Sequence, residues 1–513
     1  MPGRSVGKKC PDDRRGESPG AARTVRREGG MDASVVVVGA GPTGLVLAGE
    51  LRLAGVDVIV LEKLPAPTGE SRGIGFTIRT AEVFDQRGLL PRFGEVETGE
   101  FGHFGGVPLD LGVLGTARRA AKTVPQATTE AVLERWAHGL GADIRRGVEV
   151  VGCTEDAAGV DVRAAGTDRP LRARYLVGCD GGRSTVRALA GFDFPGTDAT
   201  TELLLADVRG VEVEPRMVGE QVPGGVVLAA RLPDGTHRVV VGEHGAPPRR
   251  RSDPPDFAEV AEVWQRLTGT DIGHAEPVWV SAFGDAARLV TEYRRGRVLL
   301  AGDAAHVHLP AGGQGMNTGI QDAVNLGWKL GAVLRGAAPP SLVDTYHDER
   351  HAVGEALLAD ARAQGALILG GERVAPVRDV LAELLRYPEV EAHLAARVSG
   401  LDIRYDVGGG PNPLLGLRMP HLDLSRDGRR TGSTELLRTG RGVLLDLADN
   451  AVLRGRARPW ADRIDIVTAT PLAPVAGDTA AVLLRPDGHV AWAAPGSHHD
   501  LPMALDRWFG PAG

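Results

Sequence analysis

A strand, a glycine turn, a helix, a second strand and an acid follow one another between residues 33 and 63, and this order constrains the fold more than any other feature. A valine run at 35–38 leads into the turn, and an apolar run at 56–61 ends at Glu62. Valine-rich runs are typical of parallel strands that are buried on both faces. The sequence therefore predicts an α/β protein with a Rossmann-like βαβ unit at this point.

The glycines of the turn have separate roles. Gly39 permits the tight turn, Gly41 lets the backbone approach a pyrophosphate, and Gly44 lets the helix pack closely on the strand. The helix N-terminus offers free N–H groups and the positive end of its dipole to phosphate. We therefore predict that this turn, including Pro42 and Thr43, binds the phosphates of a dinucleotide.

Glu62 lies near the position where an acid accepts a hydrogen bond from a ribose hydroxyl. A carboxylate there disfavours a 2′-phosphate, so we do not expect this site to hold NADP. Lys63 follows directly and is counted among the cofactor-binding residues. An ordinary βαβ turn would require neither the glycine spacing nor the acid, so the dinucleotide interpretation is preferred.

Net charge, hydropathy and cysteine content exclude several classes of protein. The net charge of −7 argues against nucleic acid as a main partner. Apolar runs all fall short of the ~18 residues that a membrane span requires. Three cysteines without a CxxC pair fit a reducing cytoplasm, so we expect a cytoplasmic protein without a membrane partner.

Changes in composition divide the 513 residues into segments. Residues 1–30 are rich in Arg, Gly, Pro and Ser, and we interpret them as a disordered extension or, preferably, as sequence upstream of a translation start at Met31. Short alternating runs predict an inserted β-sheet domain at 196–282. The flanking segments, 31–195 and 283–400, form one discontinuous α/β domain, and 401–513 form a linker and a βαβ-like C-terminal domain.

Two further glycine turns follow predicted strands. Asp180 and Gly181 stand at the carboxyl end of one strand, where open α/β sheets bind ligands. Gly302 and Asp303 end another, and Pro310 begins a glycine-rich loop before a helix predicted over 318–334. A glycine-rich loop that leads into a helix N-terminus is typical of an anion or carbonyl site.

Two polar groupings have more than one interpretation. The spacing of Asp303, His306 and His308 is similar to that of a metal site, but the stretch supplies no further ligand, and we predict no metal. Arg72 and Arg79 flank a glycine turn, where each either contacts phosphate or flavin groups or is a solvated surface residue.

The three glycine motifs together resemble those of the single-component FAD-dependent aromatic hydroxylases, class A monooxygenases of the p-hydroxybenzoate hydroxylase fold. The resemblance covers residues 31 to about 400. Stretches such as YLVGCDGGRSTVRALAGFDFPGT and HLPAGGQGMNTGIQDAVNLGWKLGAV are similar to the hydroxylases that tailor angucycline polyketides. The C-terminal segment resembles the thioredoxin-like domain of that group, but it contains no cysteine, which excludes thioredoxin chemistry.

The resemblance implies an FAD-binding (GR2-type) domain at 31–195 and 283–400 and a substrate-binding sheet at 196–282. It also implies roles for individual residues. Those roles are the FAD pyrophosphate for Gly39, Gly41 and Gly44, the adenosine ribose for Glu62, an FAD phosphate for Arg72, the ribityl chain for Gln126 and Asp303, FAD and transient nicotinamide binding for Asp180 and Gly181, and the flavin ring for the loop with Gly315, Met316 and Asn317. No catalytic side chain is assigned, because the flavin carries the chemistry.

The resemblance further implies that NADPH reduces FAD and that a flavin C(4a)-hydroperoxide transfers one oxygen atom to an electron-rich ring. The chain has one dinucleotide fingerprint, so NADPH is expected to bind transiently. The expected partners are a small polycyclic aromatic molecule, molecular oxygen and, through the helical stripe after residue 345 or the C-terminal domain, a second copy of the chain.

Four functions are compatible with these motifs. The preferred one is an angucycline-type hydroxylase of antibiotic biosynthesis. The second is a flavin hydroxylase of a simpler phenol or an antibiotic-inactivating monooxygenase, which only substrate profiling separates from the first. A non-catalytic flavoprotein is the third, and the fourth, a membrane dehydrogenase of the geranylgeranyl reductase kind, lacks a basic amphipathic anchor helix.

Overall fold

The chain is described from a computed structural model, in which residues 30–115, 121–249, 251 and 253–512 are placed. Apart from Gly30, the predicted N-terminal extension lies outside the described residues. The elements of the first α/β segment are β1 (Ala33–Val38), α1 (Pro42–Leu53), β2 (Val58–Glu62), β3 (Gly75–Phe76), α2 (Ile78–Gln86), β4 (Glu97–Gly99), β5 (Phe101–Phe104), β6 (Val107–Asp110), β7 (Ala121–Thr123), α3 (Gln126–Gly139), β8 (Asp143–Arg146), β9 (Val150–Glu155), β10 (Val160–Ala164), β11 (Leu171–Gly178) and α4 (Thr185–Leu189).

The remaining elements follow in chain order. The middle of the chain contains β12 (Gly196–Thr197), β13 (Glu202–Arg209), β14 (Arg216–Val222), β15 (Gly225–Arg231), β16 (His237–Glu243), α5 (Phe257–Thr268), β17 (Glu276–Gly284), β18 (Ala287–Leu289), β19 (Arg294–Arg295), β20 (Val298–Leu300), β21 (His306–Val307), α6 (Gln314–Leu334), α7 (Ser341–Leu369), α8 (Ala375–Leu384) and α9 (Pro388–Ser399). The C-terminal part contains β22 (Asp423–Arg426), β23 (Arg429–Gly432), β24 (Gly442–Asp446), α10 (Ala451–Ala457), β25 (Ile464–Thr468), β26 (Thr470–Pro471), β27 (Ala481–Leu484), β28 (Val490–Ala494) and α11 (Leu501–Phe509).

The main sheet is organised around β1, which pairs in parallel with β2 and β11. Parallel β8 and β20 extend the sheet on the two sides. Helix α6 packs across α1, and its glycines allow the close approach: an added Cβ at Gly327 or Gly331 would lie 2.5 Å from the Cβ of Glu50 or Ala54. The predicted Rossmann-like α/β fold is confirmed.

The segment between β12 and β18 forms an antiparallel sheet in the order β14-β15-β16-β13-β17. Helix α5 covers one face of this sheet and buries Val260, Trp264 and Leu267 in a core that is separate from the main one. The sequence predicts this helix, because residues 257–268 follow a Pro-rich loop with helical periodicity, whereas none of the alternating runs, at 203–208, 222–232, 236–243 and 278–283, covers β14. The role of this sheet in substrate binding stays a prediction.

The C-terminal segment contains a mixed sheet in the order β25-β24-β27-β28, with α10 and α11 packed beside it. Strands β24 and β25 are parallel, and the other two pairs are antiparallel. This arrangement agrees with the predicted thioredoxin-like domain without cysteines. Across the described segments, every helix is too short or too polar to be a transmembrane span.

A buried cluster of charges, the ionic seam, joins the C-terminal domain to α6 and α7. It consists of Lys329, Glu349, Arg485 and Asp487. Arg485 donates to Glu349 at 2.5 and 2.8 Å and also to Asp487, while Lys329 Nζ lies 2.7 Å from Glu349. Each buried charge in the seam thus has an opposite charge in contact, which avoids the cost of an unpaired buried ion.

Two helices begin earlier than predicted. The sequence predicts α3 over residues 128–140, but the helix begins at Gln126, and α6 begins at Gln314 rather than at residue 318. Gly312 and Gly313 adopt positive φ angles of 68° and 66°, so the loop turns into the helix at Gly313. Gly315, Met316 and Asn317 therefore lie in the first turn of α6, and their predicted position in the loop is wrong.

Candidate functional site

The glycine turn between β1 and α1 is tightly packed at two residues and open at a third. Gly39 has a φ of 103°, and an added Cβ there would lie 2.4 Å from the carbonyl oxygen of Cys179. A Cβ at Gly44 would lie 2.0 Å from the Gly39 carbonyl oxygen, whereas a Cβ at Gly41 would meet nothing within 4 Å. Pro42 begins α1, and no described side chain caps this helix end. The turn therefore offers free N–H groups beside open space, as a phosphate site requires.

Glu62 ends β2, and backbone N–H groups orient its carboxylate. Oε2 accepts from the N–H of Ala40 at 2.8 Å, and Oε1 accepts from the N–H of Leu64 at 2.9 Å. A carboxylate has about four acceptor sites, so it keeps capacity for a ribose hydroxyl beside the turn. Lys63 is exposed next to it.

Three predicted residues meet at Gly73, in the loop between β2 and β3. The N–H of Gly73 donates to Gln126 Oε1 at 3.1 Å. An added Cβ at Gly73 would lie 3.5 Å from the terminal methyl carbon of Met316. Arg72 is the preceding residue and is exposed. The structure thus brings Arg72, Gln126 and Met316 to one corner, although they are far apart in sequence.

Asp180 lies beyond the carboxyl end of β11, as predicted, and its carboxylate caps α4. It accepts from the Ser184 hydroxyl at 2.5 Å and from the N–H groups of Thr185 and Val186 at 2.7 and 3.1 Å. Gly181 has a φ of 79° and open space around its α-carbon. This geometry gives Asp180 a positioning role for the turn, and its predicted contact with FAD and nicotinamide stays a prediction.

Gly302, after β20, lies directly against the first glycine turn. An added Cβ at Gly302 would lie 2.7 Å from Thr43 Oγ1, and one at Gly319 of α6 would lie 2.4 Å from the same atom. The N–H of Gly302 also donates to Asp322 at 3.0 Å. These small residues let the N-terminal ends of α1 and α6 approach each other.

Asp303 and His308 stand beside the first turn of α6. An added Cβ at Gly315 would lie 3.6 Å from His308 Nε2 and 3.8 Å from Asp303 Oδ1. Burial, together with the neighbouring His306, lowers the pKa of His308. Asp303 and Pro310 are exposed. A carboxylate and a neutral imidazole are thus available to a ligand at this end of the helix.

The N-terminus of α6 is positioned by Asn317. Its Nδ2 donates to the Gly313 carbonyl at 2.7 Å, and its Oδ1 accepts from the N–H of Thr77 at 2.9 Å. No described side chain caps this helix end. The free N–H groups of the first turn and the helix dipole therefore stabilise the negative charge of a ligand that binds at this end.

His306 belongs to a buried network behind the turn. Asp322, which is 0% exposed, lies 2.8 Å from His306 Nε2 and accepts from Arg350 Nε at 2.6 Å. Burial alone would raise the pKa of Asp322, but Arg350 and His306 lie so close that this pKa is lowered. Among the described residues, no group of three His, Cys, Asp or Glu side chains is placed to hold a metal. Sequence reasoning assigned no role to Asp322 or Arg350, because Asp322 lies beyond the glycine loop of its stretch and Arg350 lies in no motif.

Arg79 is not a flavin or phosphate contact, and it is not a solvated surface residue. It is 3% exposed, and it donates to Glu82 at 3.2 Å and to the Asp487 carbonyl at 2.7 Å. Its position at the start of α2 directs it toward the C-terminal domain. The interpretation as a cofactor residue is therefore wrong.

An apolar cluster, which we call the junction, lies beside the loop before α6. Its buried members come from β13, β15, that loop and the end of α7, and they are Leu203, Val226, Leu309, Ala311 and Ile368. Four distant segments contribute to the junction, so no local sequence pattern could indicate it. An apolar wall next to a helix N-terminus suits a planar ring system with few polar groups.

These features fit an extended dinucleotide. Gly41 leaves room for the backbone to approach a pyrophosphate, Glu62 is oriented beside it, and the uncapped end of α6 suits the polar edge of a flavin ring. A dinucleotide requires polar groups at both of its ends, and Glu62 at one end of the site and the N–H groups of α6 at the other supply them.

The comparisons with known proteins agree with this site. Residues 32–361 match the family model of an FAD binding domain, and residues 412–512 match that of the C-terminal domain of aromatic-ring hydroxylases. The chain is 44% identical over 503 residues to the 12-dehydrotetracycline 5-monooxygenase/anhydrotetracycline 6-monooxygenase of Streptomyces rimosus, covering 94% of this chain and 99% of that protein.

Two solved structures are similar over 94% of this chain and 100% of their own. CabE, an aromatic hydroxylase from angucycline biosynthesis, is 63% identical with a TM-score of 0.91. BexE, studied for oxidation during BE-7585A biosynthesis, is 65% identical with a TM-score of 0.90. The chain therefore belongs to the family of FAD-binding aromatic-ring hydroxylases and is a flavin-dependent monooxygenase.

Proposed function

We propose that this monooxygenase consumes NADPH and hydroxylates a polycyclic aromatic polyketide of the angucycline type in antibiotic biosynthesis. The observation that carries the proposal is the 63% identity, over nearly the whole chain, with an aromatic hydroxylase from angucycline biosynthesis. The junction supports it, because a planar polycyclic substrate needs an apolar wall close to the flavin ring.

The residues of the chain bind and orient the cofactor. The first glycine turn holds the pyrophosphate, Glu62 holds the adenosine ribose, and Asp303 holds the ribityl chain. When bound, FAD supplies the reduction and oxygen chemistry. The N–H groups at the start of α6 hold negative charge at the edge of the flavin ring, and Asn317 keeps that helix end in place.

The junction orients the substrate and excludes water from the reacting atoms. Its side chains are apolar and buried, so they pack against the faces of the ring system and form no hydrogen bonds with it. Exclusion of water protects the reactive intermediates of the reaction from hydrolysis. The sequence carries one dinucleotide fingerprint, which we assign to FAD, so NADPH binds transiently.

The test is NADPH oxidation by the FAD-loaded protein with and without an angucyclinone, with the product mass recorded. We expect strong stimulation and a product that has gained one oxygen atom. NADH and a monocyclic phenol are run in parallel, because preference for either would contradict the proposed donor or substrate. Stimulation that yields only hydrogen peroxide would contradict the proposed substrate and leave the monooxygenase family intact.

The ribityl assignment has a separate test. Asp303→Ala is expected to weaken FAD binding about 10-fold or more, because a charge-assisted hydrogen bond is lost. Asp379→Ala is the matched control, because Asp379 is an exposed aspartate of α8, far along the chain from the glycine motifs. Equal FAD affinity of the Asp303 variant and the wild type would contradict the assignment.

A further inference from the structure

Two buried glutamine side chains flank Gly312, the glycine that begins the turn into α6. Gln364 of α7 is 0% exposed, and Gln314, the first residue of α6, is 7% exposed. An added Cβ at Gly312 would lie 3.6 Å from Gln364 Oε1, 4.0 Å from Gln364 Nε2 and 3.9 Å from Gln314 Cγ. The Gln364 amide and the Gln314 side chain therefore both lie beside Gly312.

The orientation of the Gln364 amide is fixed by the turn between β5 and β6. The N–H of Gly105 donates to Gln364 Oε1 at 3.3 Å, and a flipped amide would place two donors against each other. Gln364 Nε2 consequently points away from Gly105, and it has no hydrogen-bond partner among the described residues. Gln314 Oε1 also lacks one within the described segments.

The surroundings of the Gln364 amide are those of the junction. Ile368 lies one helical turn further along the same face of α7, and an added Cβ at Gly365 would lie 3.4 Å from a methyl carbon of Leu309. A donor that is buried among apolar groups without a partner costs free energy, because it has lost its bonds to water. A ligand in the junction that supplied an acceptor would recover those bonds.

We propose that Gln364 Nε2 donates to a phenolic hydroxyl of the bound aromatic substrate and that the same hydroxyl donates to Gln314 Oε1. A hydroxyl is the group that fits, because it accepts and donates at one atom. Gln364 is then a specificity-determining residue that selects hydroxylated rings over their deoxy analogues. This inference rests on the proposed function.

Gln364→Glu is the sharpest variant, because an ionised carboxylate keeps the acceptor for Gly105 and lacks the donor. Burial favours the neutral form of a carboxyl group, which still donates, so both constants are measured across a range of pH and the loss is expected to grow as the carboxyl group ionises. We expect kcat/KM for a phenolic angucyclinone to fall about 10-fold to 100-fold. The dissociation constant, measured from the absorbance change of bound FAD on substrate addition, is expected to rise by a similar factor. With the analogue that lacks the phenolic hydroxyl, the wild type and the variant are expected to differ much less.

The control variant is Gln265→Glu, an exposed glutamine on α5, which is expected to leave both constants unchanged. Gln314→Met removes the second partner and is expected to show a smaller loss with the same dependence on the hydroxyl. It also tests the inference if the Gln364 variant does not fold.

Three results would overturn the inference. They are equal constants for the Gln364 variant and the wild type, an equal loss with both substrates, and a dissociation constant of the wild type that does not distinguish the two substrates. Failure of the proposed function has a different signature, because the wild type itself would then show no substrate-stimulated gain of oxygen with either compound.

Discussion

The two ends of α6 serve opposite purposes. Its first turn presents N–H groups that no described side chain caps, next to Gly313, where an added Cβ would meet nothing within 4 Å. Its later part, at Lys329, lies in the ionic seam, where protein groups of opposite charge pair with one another. The comparison shows that one helix can both bind a ligand and hold two parts of the chain together. Polar groups at a binding site stay without protein partners, whereas polar groups at a structural interface pair with one another.

The largest expected effect concerns the seam. Arg485→Met leaves Glu349 and Asp487 buried without their main partner, so we expect a loss of about 3–5 kcal/mol in the free energy of unfolding, measured in urea. Arg430→Met is the control, because its pair with Asp423 is exposed, and little change is expected. Similar losses for both variants would break the contrast between the seam and the surface.

A pair of glycine substitutions sharpens the contrast at the cofactor end. Gly44→Ala is expected to lower both stability and FAD affinity, because its Cβ would overlap the Gly39 carbonyl. Gly41→Ala is expected to keep the melting temperature of the apoprotein and weaken FAD binding about 10-fold, since its Cβ enters open space that we assign to phosphate. Gly139→Ala, also in open space, is the control. Unchanged FAD affinity in the Gly41 variant would contradict the phosphate assignment.

His103, on β5, is a buried group without an opposite charge in contact among the described residues, in contrast to the paired charges of the seam, and it makes stability depend on pH. Burial lowers its pKa from 6.5 to about 4, so between these values the unfolded chain binds a proton that the native protein does not. Stability from this residue is present above pH 6.5 and is lost as the pH falls toward 4, by an amount on the order of 3 kcal/mol. His103→Gln is expected to flatten the dependence of urea unfolding on pH in this window. Coincident profiles of the variant and the wild type would contradict this account.

The smallest expected effect concerns Asp180. Asp180→Ala removes the acceptor of the Thr185 and Val186 N–H groups at the start of α4, while the Ser184 cap remains, and is expected to cost about 1 kcal/mol in the free energy of unfolding. Asp180→Asn keeps one acceptor and is expected to cost less. If both variants lose FAD affinity without losing stability, the result would contradict the positioning role and support the FAD contact predicted from the motif.

Much of the fold could be predicted, because its signals are local. The valine run of β1, the apolar periodicity of α5 and the turn at Gly39 each specify a conformation within a few residues. The predicted start of α6 is four residues too late, because Asn317 and Thr318 are typical N-cap residues. The caps are instead absent, and the glycines at 312 and 313 make the turn.

The site was predictable only where a motif marks it. Glu62 could be named from its spacing to the glycine turn and Asp303 from the family resemblance, but Asp322, Arg350 and Gln364 could not be named, because their partners lie on other elements. Arg79 shows the converse error, since its nearness in sequence to a glycine turn suggested a ligand. Its contact with the Asp487 carbonyl joins residues 408 positions apart.

Arg238, on β16 of the inserted sheet, links this sheet to the loop between β2 and β3. Its guanidinium is 4% exposed, pairs with Asp207 at 2.8 Å, and also donates to the backbone carbonyls of Ser71 and Arg72. The hydrogen bonds of one side chain therefore connect the inserted sheet to the loop that precedes β3. A displacement of the inserted sheet that breaks these hydrogen bonds would also release the loop that carries Arg72, so the two regions are coupled through the Arg238 guanidinium.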